Sequence, residues 1–259
     1  MNVLRPLCAL ILTSALHAEP IPVRHLEGRS RGFLVLRTES GAILGNGEMT
    51  QFAHGERVTY RMTYRFKDGS VDDETATFSQ RKTFQLITDH HTQRGPFFSK
   101  SLDLTIDATG QVTSRTTDSD GKPKIEVTKA DLPPDLINGF LPIVMQNILP
   151  NTPELKLDMA APTQKLRLIK LDVTPAGQGH FTIAGVRRTA SIFRLKTELG
   201  GLTGVVAPLI GKEPADIFIW VAEGEAPATV RAIAQLYEGA PILSIELAGA
   251  TFPRTQEKK

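Results

Sequence analysis

Strict alternation of apolar and polar side chains runs through much of this chain, and few folds can satisfy it. In an extended strand successive side chains point to opposite faces, so a period of two marks a sheet with one buried face. Val58-Thr-Tyr60-Arg-Met62-Thr-Tyr64-Arg-Phe66 alternates without a break, and Lys67-Asp68-Gly69-Ser70 then supplies turn chemistry for a hairpin into Thr75 to Ser79. The same pattern predicts strands at Thr83 to Thr88, Ser101 to Asp107, Gln111 to Thr117 and Lys124 to Thr128. The turns between them carry Gly110 and the Asp118-Ser-Asp120-Gly121 cluster. Further strands are expected at Lys165 to Val173, His180 to Ile183, Arg188 to Leu195, Asp216 to Val221, Ala228 to Tyr237 and Pro241 to Leu247. Pro175-Ala-Gly-Gln-Gly179 reads as a loop, Asn151 to Thr163 as a polar connection, and Gly200 to Gly211 is too rich in glycine for either regular element.

The period changes once. Ile137, Phe140, Leu141, Val144, Met145, Ile148 and Leu149 recur at spacings of three and four, which stacks them along one face of a helix. Pro133 and Pro134 suit its first turn and Pro150 its end, while Pro142 inside it predicts a kink or two short helices near Gly139.

The amino terminus has the layout of a secretory signal peptide: one charge at Arg5, the apolar run from Leu7 to Leu16, and small residues up to Ala18. That run falls short of the roughly 20 apolar residues that span a bilayer. Residues 1–18 are therefore expected to be removed, leaving a single β-rich domain over 19–254 and a frayed tail over 255–259. Export to the periplasm, the outer envelope or the extracellular space follows, with no transmembrane segment after cleavage. The one cysteine, Cys8, leaves with the leader, so no disulfide can staple the mature chain. Net charge is +2 with the leader, and the basic residues are scattered, which argues against nucleic acid as a partner. The pairs Arg29/Arg31 and Arg187/Arg188 read as solvated strand edges.

Tests for chemistry yield no catalytic residue, metal ligand or cofactor. Asp89-His90-His91 is the most reactive-looking cluster, but on a strand the two imidazoles point to opposite faces and cannot share an ion. Asp118-Ser-Asp120-Gly121 begins like a calcium loop and lacks the later acidic ligands. Gly204 to Gly211-Lys212 has the wrong glycine spacing for a phosphate loop, and Gly45-Asn-Gly47 reads as a turn. Asp72-Asp73-Glu74 reads as a turn cluster as well.

What remains is apolar architecture. The expected fold is mainly β: an incomplete antiparallel β-barrel or β-spiral with one kinked amphipathic helix packed against its concave face. Ile137, Phe140, Leu141, Val144, Met145 and Ile148, with Trp220 at one end, either complete a dry core or line an apolar cavity under a movable lid.

The Leu132-Pro-Pro-Asp135 segment and the Gly211-Lys-Glu-Pro-Ala-Asp-Ile-Phe-Ile-Trp220-Val stretch, with Glu225-Ala-Pro227 and Leu243-Ser-Ile-Glu-Leu247, resemble an uncharacterised family of secreted bacterial β proteins. That family is similar to the lipoprotein-carrier superfamily. The resemblance implies a curled sheet around an apolar cavity and no catalytic residues. The expected function is thus non-enzymatic binding or transfer of a lipid or other apolar small molecule in the cell envelope. The alternatives are a scaffold that pairs an exposed sheet edge with an envelope protein, and an extracytoplasmic hydrolase centred on Asp89, His90 and His91.

Overall fold

The computed structural model describes residues 20–117, 122–161, 167–198 and 214–253. The expected leader, the Asp118–Gly121 turn, the Gly200–Gly211 stretch and the tail lie outside these residues. The first eight strands form one meander: β1 (Ser30–Thr38), β2 (Ile43–His54), β3 (Arg57–Phe66), β4 (Val71–Ser79), β5 (Gln85–Arg94), β6 (Leu102–Asp107), β7 (Gln111–Thr117) and β8 (Pro123–Lys129). After the short helix α1 (Leu141–Gln146) come β9 (Leu155–Ala161), β10 (Arg167–Ile183), β11 (Val186–Glu198), β12 (Ile217–Ala222), β13 (Ala228–Ala234), β14 (Leu243–Leu247) and β15 (Ala250–Thr251).

All of these strands belong to a single antiparallel sheet. Its order runs from β10 through β11, β12, β13 and β14 to β1 and on through β8, with β9 and β15 both paired to β10. The two halves of the chain join where β14 pairs with β1, Leu36 opposite Ile245. The sheet is not closed into a barrel: among the described residues no ladder connects β8 to β9 or β15.

It is nevertheless strongly curled, and side-chain contacts prove it. From β5 to β13 there are six strand steps, which in a flat sheet would separate them by about 29 Å. Yet the Gln93 Nε2–H of β5 donates to the carbonyl of Leu236, just past β13, at 3.0 Å. Tyr237 caps the same end, donating to the Phe97 carbonyl while its ring packs edge-on against the Phe97 ring.

The concave face is filled by the chain between β8 and β9. Here the structure corrects the expected kinked helix: α1 has six residues, and Pro142 lies in its first turn, where a missing N–H costs nothing. Gly139 has φ of +72°, so the backbone leaves the helical region just ahead of α1. The spacing of three and four still faces one way because the segment is a string of single turns, such as Phe140 N–H to the Ile137 carbonyl and Ile148 N–H to that of Met145.

This plug ties together strands far apart in the sheet. Phe140 stacks on Phe78 of β4 with centroids 4.4 Å apart. The Asn138 side chain bonds both backbone groups of Ala160 on β9, donating to the carbonyl and accepting from the N–H at 2.8 Å each. Thr229 of β13 donates to the Pro142 carbonyl. A strap at the amino end locks the far side, with the N–H groups of Arg24 and His25 both donating to Asn147 Oδ1.

Other expectations change for local reasons. Gly45 and Gly47 lie within β2, not in a turn, paired with Phe66 and Tyr64 of β3, and a Cβ on Gly47 would come 2.7 Å from the Tyr64 ring. Pro175 to Gly179 is part of the long β10, absorbed by a register shift between Pro175 and Gln178. The polar connection contains β9, whose Leu157 and Ala160 are buried in the core. Replacing Asn138 with Ala would leave the N–H and carbonyl of Ala160 buried and unpaired. A loss of roughly 2–4 kcal/mol is expected, read from the urea midpoint.

Candidate functional site

Alternation on β4 and β5 puts four titratable groups where a core would normally be apolar. Asp72 and Glu74 share a face with Ala76 and Phe78, and Asp89, His91 and Gln93 lie across from them on β5, in register as Ala76 with Asp89, Glu74 with His91 and Asp72 with Gln93. Tyr64 and Tyr60 of β3 flank the group, opposite Asp72 and Ala76.

The cluster is built around His91. Its Nε2–H donates to Asp72 Oδ1 at 3.0 Å, and its Nδ1 lies 3.7 Å from Glu74 Oε1. Gln93 donates to the other Asp72 oxygen at 2.8 Å while also reaching the Leu236 carbonyl. Burial by itself would pull the imidazole down. The Glu74 carboxylate, the hydrogen bond to Asp72 and the charges of Asp72 and Asp89 overrule it and push His91 up to about 10. His91 is therefore an imidazolium held between carboxylates. Burial also raises Glu74, opposed by His91.

Asp89 differs from its neighbours. It is 1% exposed, its Oδ1 has no hydrogen-bond partner, and burial followed by the nearby Glu74 charge raises it well above the usual carboxylate range. The plug lies directly on it: a Cβ on Gly139 would stand 2.7 Å from Asp89 Oδ1 and 2.7 Å from the Ala76 Cβ. Gly139 thus serves both the left-handed turn and the close approach of the plug to this carboxyl.

The sequence-predicted residues fall into separate places. His90 points outward and pairs with Asp103 at 3.0 Å, on the opposite face from His91. Among the described residues no group of three or more His, Cys, Asp or Glu is arranged to hold a metal ion. Ile137, Phe140, Val144, Met145 and Ile148 are buried together in the main core, and Leu141 packs against it half-buried. Trp220 lies on the other face of β12 from Ile219 and Val221, beside Phe181 and Phe252, with the Arg231 guanidinium 5.0 Å above its ring. Asp72 and Glu74, expected in a turn cluster, lie instead within β4, and Gln93 was not singled out by sequence reasoning. The available signal was parity, since Asp72 and Glu74 alternate in step with the buried Phe78.

Two grooves open elsewhere on the fold. One of about 200 Å³ lies where the plug ends, between Arg24 and His25 of the strap, Ile148 and Leu149, and Phe193 and Val221 of the sheet. The other, about 290 Å³, sits at the corner of β10 and β15 beside His180, Arg187 and Phe252. No helix among the described residues is long and apolar enough to cross a membrane. No family model, curated protein or solved structure matches the chain.

The raised His91 has a sign that can be checked. Its contribution is fully present below the unfolded value near 6.5 and is lost as pH climbs toward 10; raised Glu74 and Asp89 have the same sign, but their loss begins lower, above their ordinary values of 4.5 and 3.8. Stability should fall between pH 6.5 and 10 with a slope approaching 1.4 kcal/mol per pH unit for one proton. Urea titrations across that range measure it, and the double variant Asp72→Asn/His91→Gln should flatten the dependence.

Proposed function

We propose that this protein is exported and binds a lipid or other apolar ligand in the cell envelope without catalysing a reaction. The observation that carries the reading is the way the concave face is covered. Its cover is not a strand of the sheet but a string of turns with only six helical residues. Few hydrogen bonds tie it down, chiefly those of Asn138, Ile137 and Asn147. Such a segment can shift while every ladder bond of the sheet stays made, and displacing it would expose Phe78, Phe84, Leu171 and Phe193 as an apolar trough with the Asp89 carboxyl at its side.

The groove at the plug's end supplies the approach. Ile148, Leu149, Val221 and Phe193 offer apolar walls, and Arg24 and His25 stand at the rim where an anionic headgroup would rest. A likeness to the lipoprotein-carrier superfamily fits this reading as a proposal. Chemistry at the acid–histidine cluster fits less well, because both ring nitrogens of His91 already face carboxylates.

Native mass spectrometry of protein purified from its host's envelope should show a bound lipid mass. Leu149 is 43% exposed, so Leu149→Asp should reduce that occupancy while leaving the melting temperature unchanged. A uniformly ligand-free protein would overturn the reading.

A second reading rests on β8. All seven of its residues are exposed, with Ile125 at 62% and Val127 at 60%. The bond from Ala130 N–H to the Gly110 carbonyl fixes the phase of the ladder, which turns the backbone groups of Ile125 and Val127 outward. That edge could accept a partner strand. Ile125→Pro removes an outward N–H without breaking an internal bond, so it should abolish a specific crosslinked complex in the envelope and leave the fold intact.

A further inference from the structure

The outer face of β1, β2 and β3 carries a surface of a different kind. Val58, Tyr60, Met62 and Tyr64 point into the core, so Arg57, Arg61 and Arg65 point out. Across the ladders, Arg61 lies opposite Thr50 and Thr50 opposite Arg31, which sets arginines from two strands in one row. Phe33 and Phe52 also face outward and remain 55% and 47% exposed. Each ring is overlaid by a guanidinium, Arg31 at 5.1 Å from the Phe33 centroid and Arg29 at 4.8 Å from that of Phe52.

The charge on this face is unbalanced. Glu48 pairs with Arg31, and Asp73 of β4 pairs with Arg61. Glu56, in the turn after β2, is engaged by Arg81. Arg29, Arg57 and Arg65 have no carboxylate partner among the described residues. Every strong cation on these strands is arginine, whose planar fork binds phosphate oxygens two at a time.

We infer that the outer face of β1–β3, centred on Arg29, Arg31, Phe33, Phe52 and Arg57, docks on a membrane surface rich in anionic phospholipid. Phosphodiester headgroups would engage the guanidinium groups, and the two exposed rings would settle at the boundary between headgroups and acyl chains. The strands present Arg31, Phe33, Phe52 and Arg57 from a rigid backbone, with Arg29 immediately ahead of β1, so little backbone ordering is lost on contact. Single-stranded nucleic acid is the weaker match, because it is held in a charged groove, whereas this surface is convex. The inference deepens the ligand-binding reading by giving a carrier the face that meets its donor or acceptor bilayer, but it depends only on the outside of the sheet.

The test is vesicle flotation with protein purified from its host. Binding should be strong to vesicles mixing phosphatidylglycerol with phosphatidylcholine, weak to phosphatidylcholine alone, and should decline steeply with added salt. Arg29→Gln/Arg31→Gln/Arg57→Gln should weaken binding by roughly a hundredfold, given the contribution of each basic residue near an anionic surface. Phe33→Ser/Phe52→Ser should weaken it with the salt dependence retained. All five positions are exposed, so melting temperatures should stay at the wild-type value. Equal binding to both vesicle types, wild-type binding by the arginine variant, or tighter binding to a single-stranded oligonucleotide would each overturn the inference. Native mass spectrometry of the same arginine variant separates the two proposals: lipid still bound inside would leave the ligand reading standing while the docking surface fails.

Discussion

The curl of the sheet is held by bridges across its concave side, chief among them the one in which Asn138, Gly139 and Phe140 hold together strands far apart in strand order. Among the described residues no ladder closes this wide sheet, so contacts across its concave side hold its curvature. Asn138 supplies them to β9 by pairing with Ala160, and Phe140 supplies them to β4 by stacking on Phe78. Gly139, between them, is the residue that lets the backbone come against β4 and β5 at all. Gln93, reaching from β5 to Leu236, repeats the device toward the other end of the strands.

The charged cluster follows from that geometry. Two carboxylates and an imidazole under a cover are costly to desolvate, and their mutual attraction repays the cost only when the geometry is well matched. Here His91 sits between Asp72 and Glu74, and Gln93 satisfies the remaining oxygen of Asp72. Asp89 is left over, its outer oxygen unpaired against the plug. Its placement leaves a buried, unpaired carboxyl oxygen at the junction of plug and sheet, one of two such atoms among the described residues. The apolar groove begins at the opposite end of the same plug.

Much of the strand plan was readable because alternation is a local property. The hairpin of β3 and β4 appears with its Asp68-Gly69 turn, and β6, β7, β8, β12, β13 and β14 occupy the stretches whose pattern predicted them. Period two failed to expose β1 and β2, where Gly45, Asn46 and Gly47 interrupt the apolar positions, and β9, where prolines precede a short apolar run. The helix was overread for the converse reason: spacings of three and four describe any run of turns that keeps one side inward, and Gly139 with Pro142 limits the regular part to six residues. Of the candidate site, the divergence of His90 and His91 was legible from strand geometry. The partners of His91 were not, since Asp72 and Glu74 come from the neighbouring strand and look like turn residues when read alone.

The chain by itself determined that this is an antiparallel β protein with one break in period, because alternation, turn residues and glycine placement act over a few residues and need no partner. Only the tertiary structure decided that the sheet is open yet curled, that Trp220 faces away from the plug, and that four titratable groups share one buried patch. Those outcomes depend on which strands meet and on what a side chain finds across the fold. Neither the hydrogen bond from Gln93 to Leu236 nor the seat of Gly139 on Asp89 has any trace in local sequence.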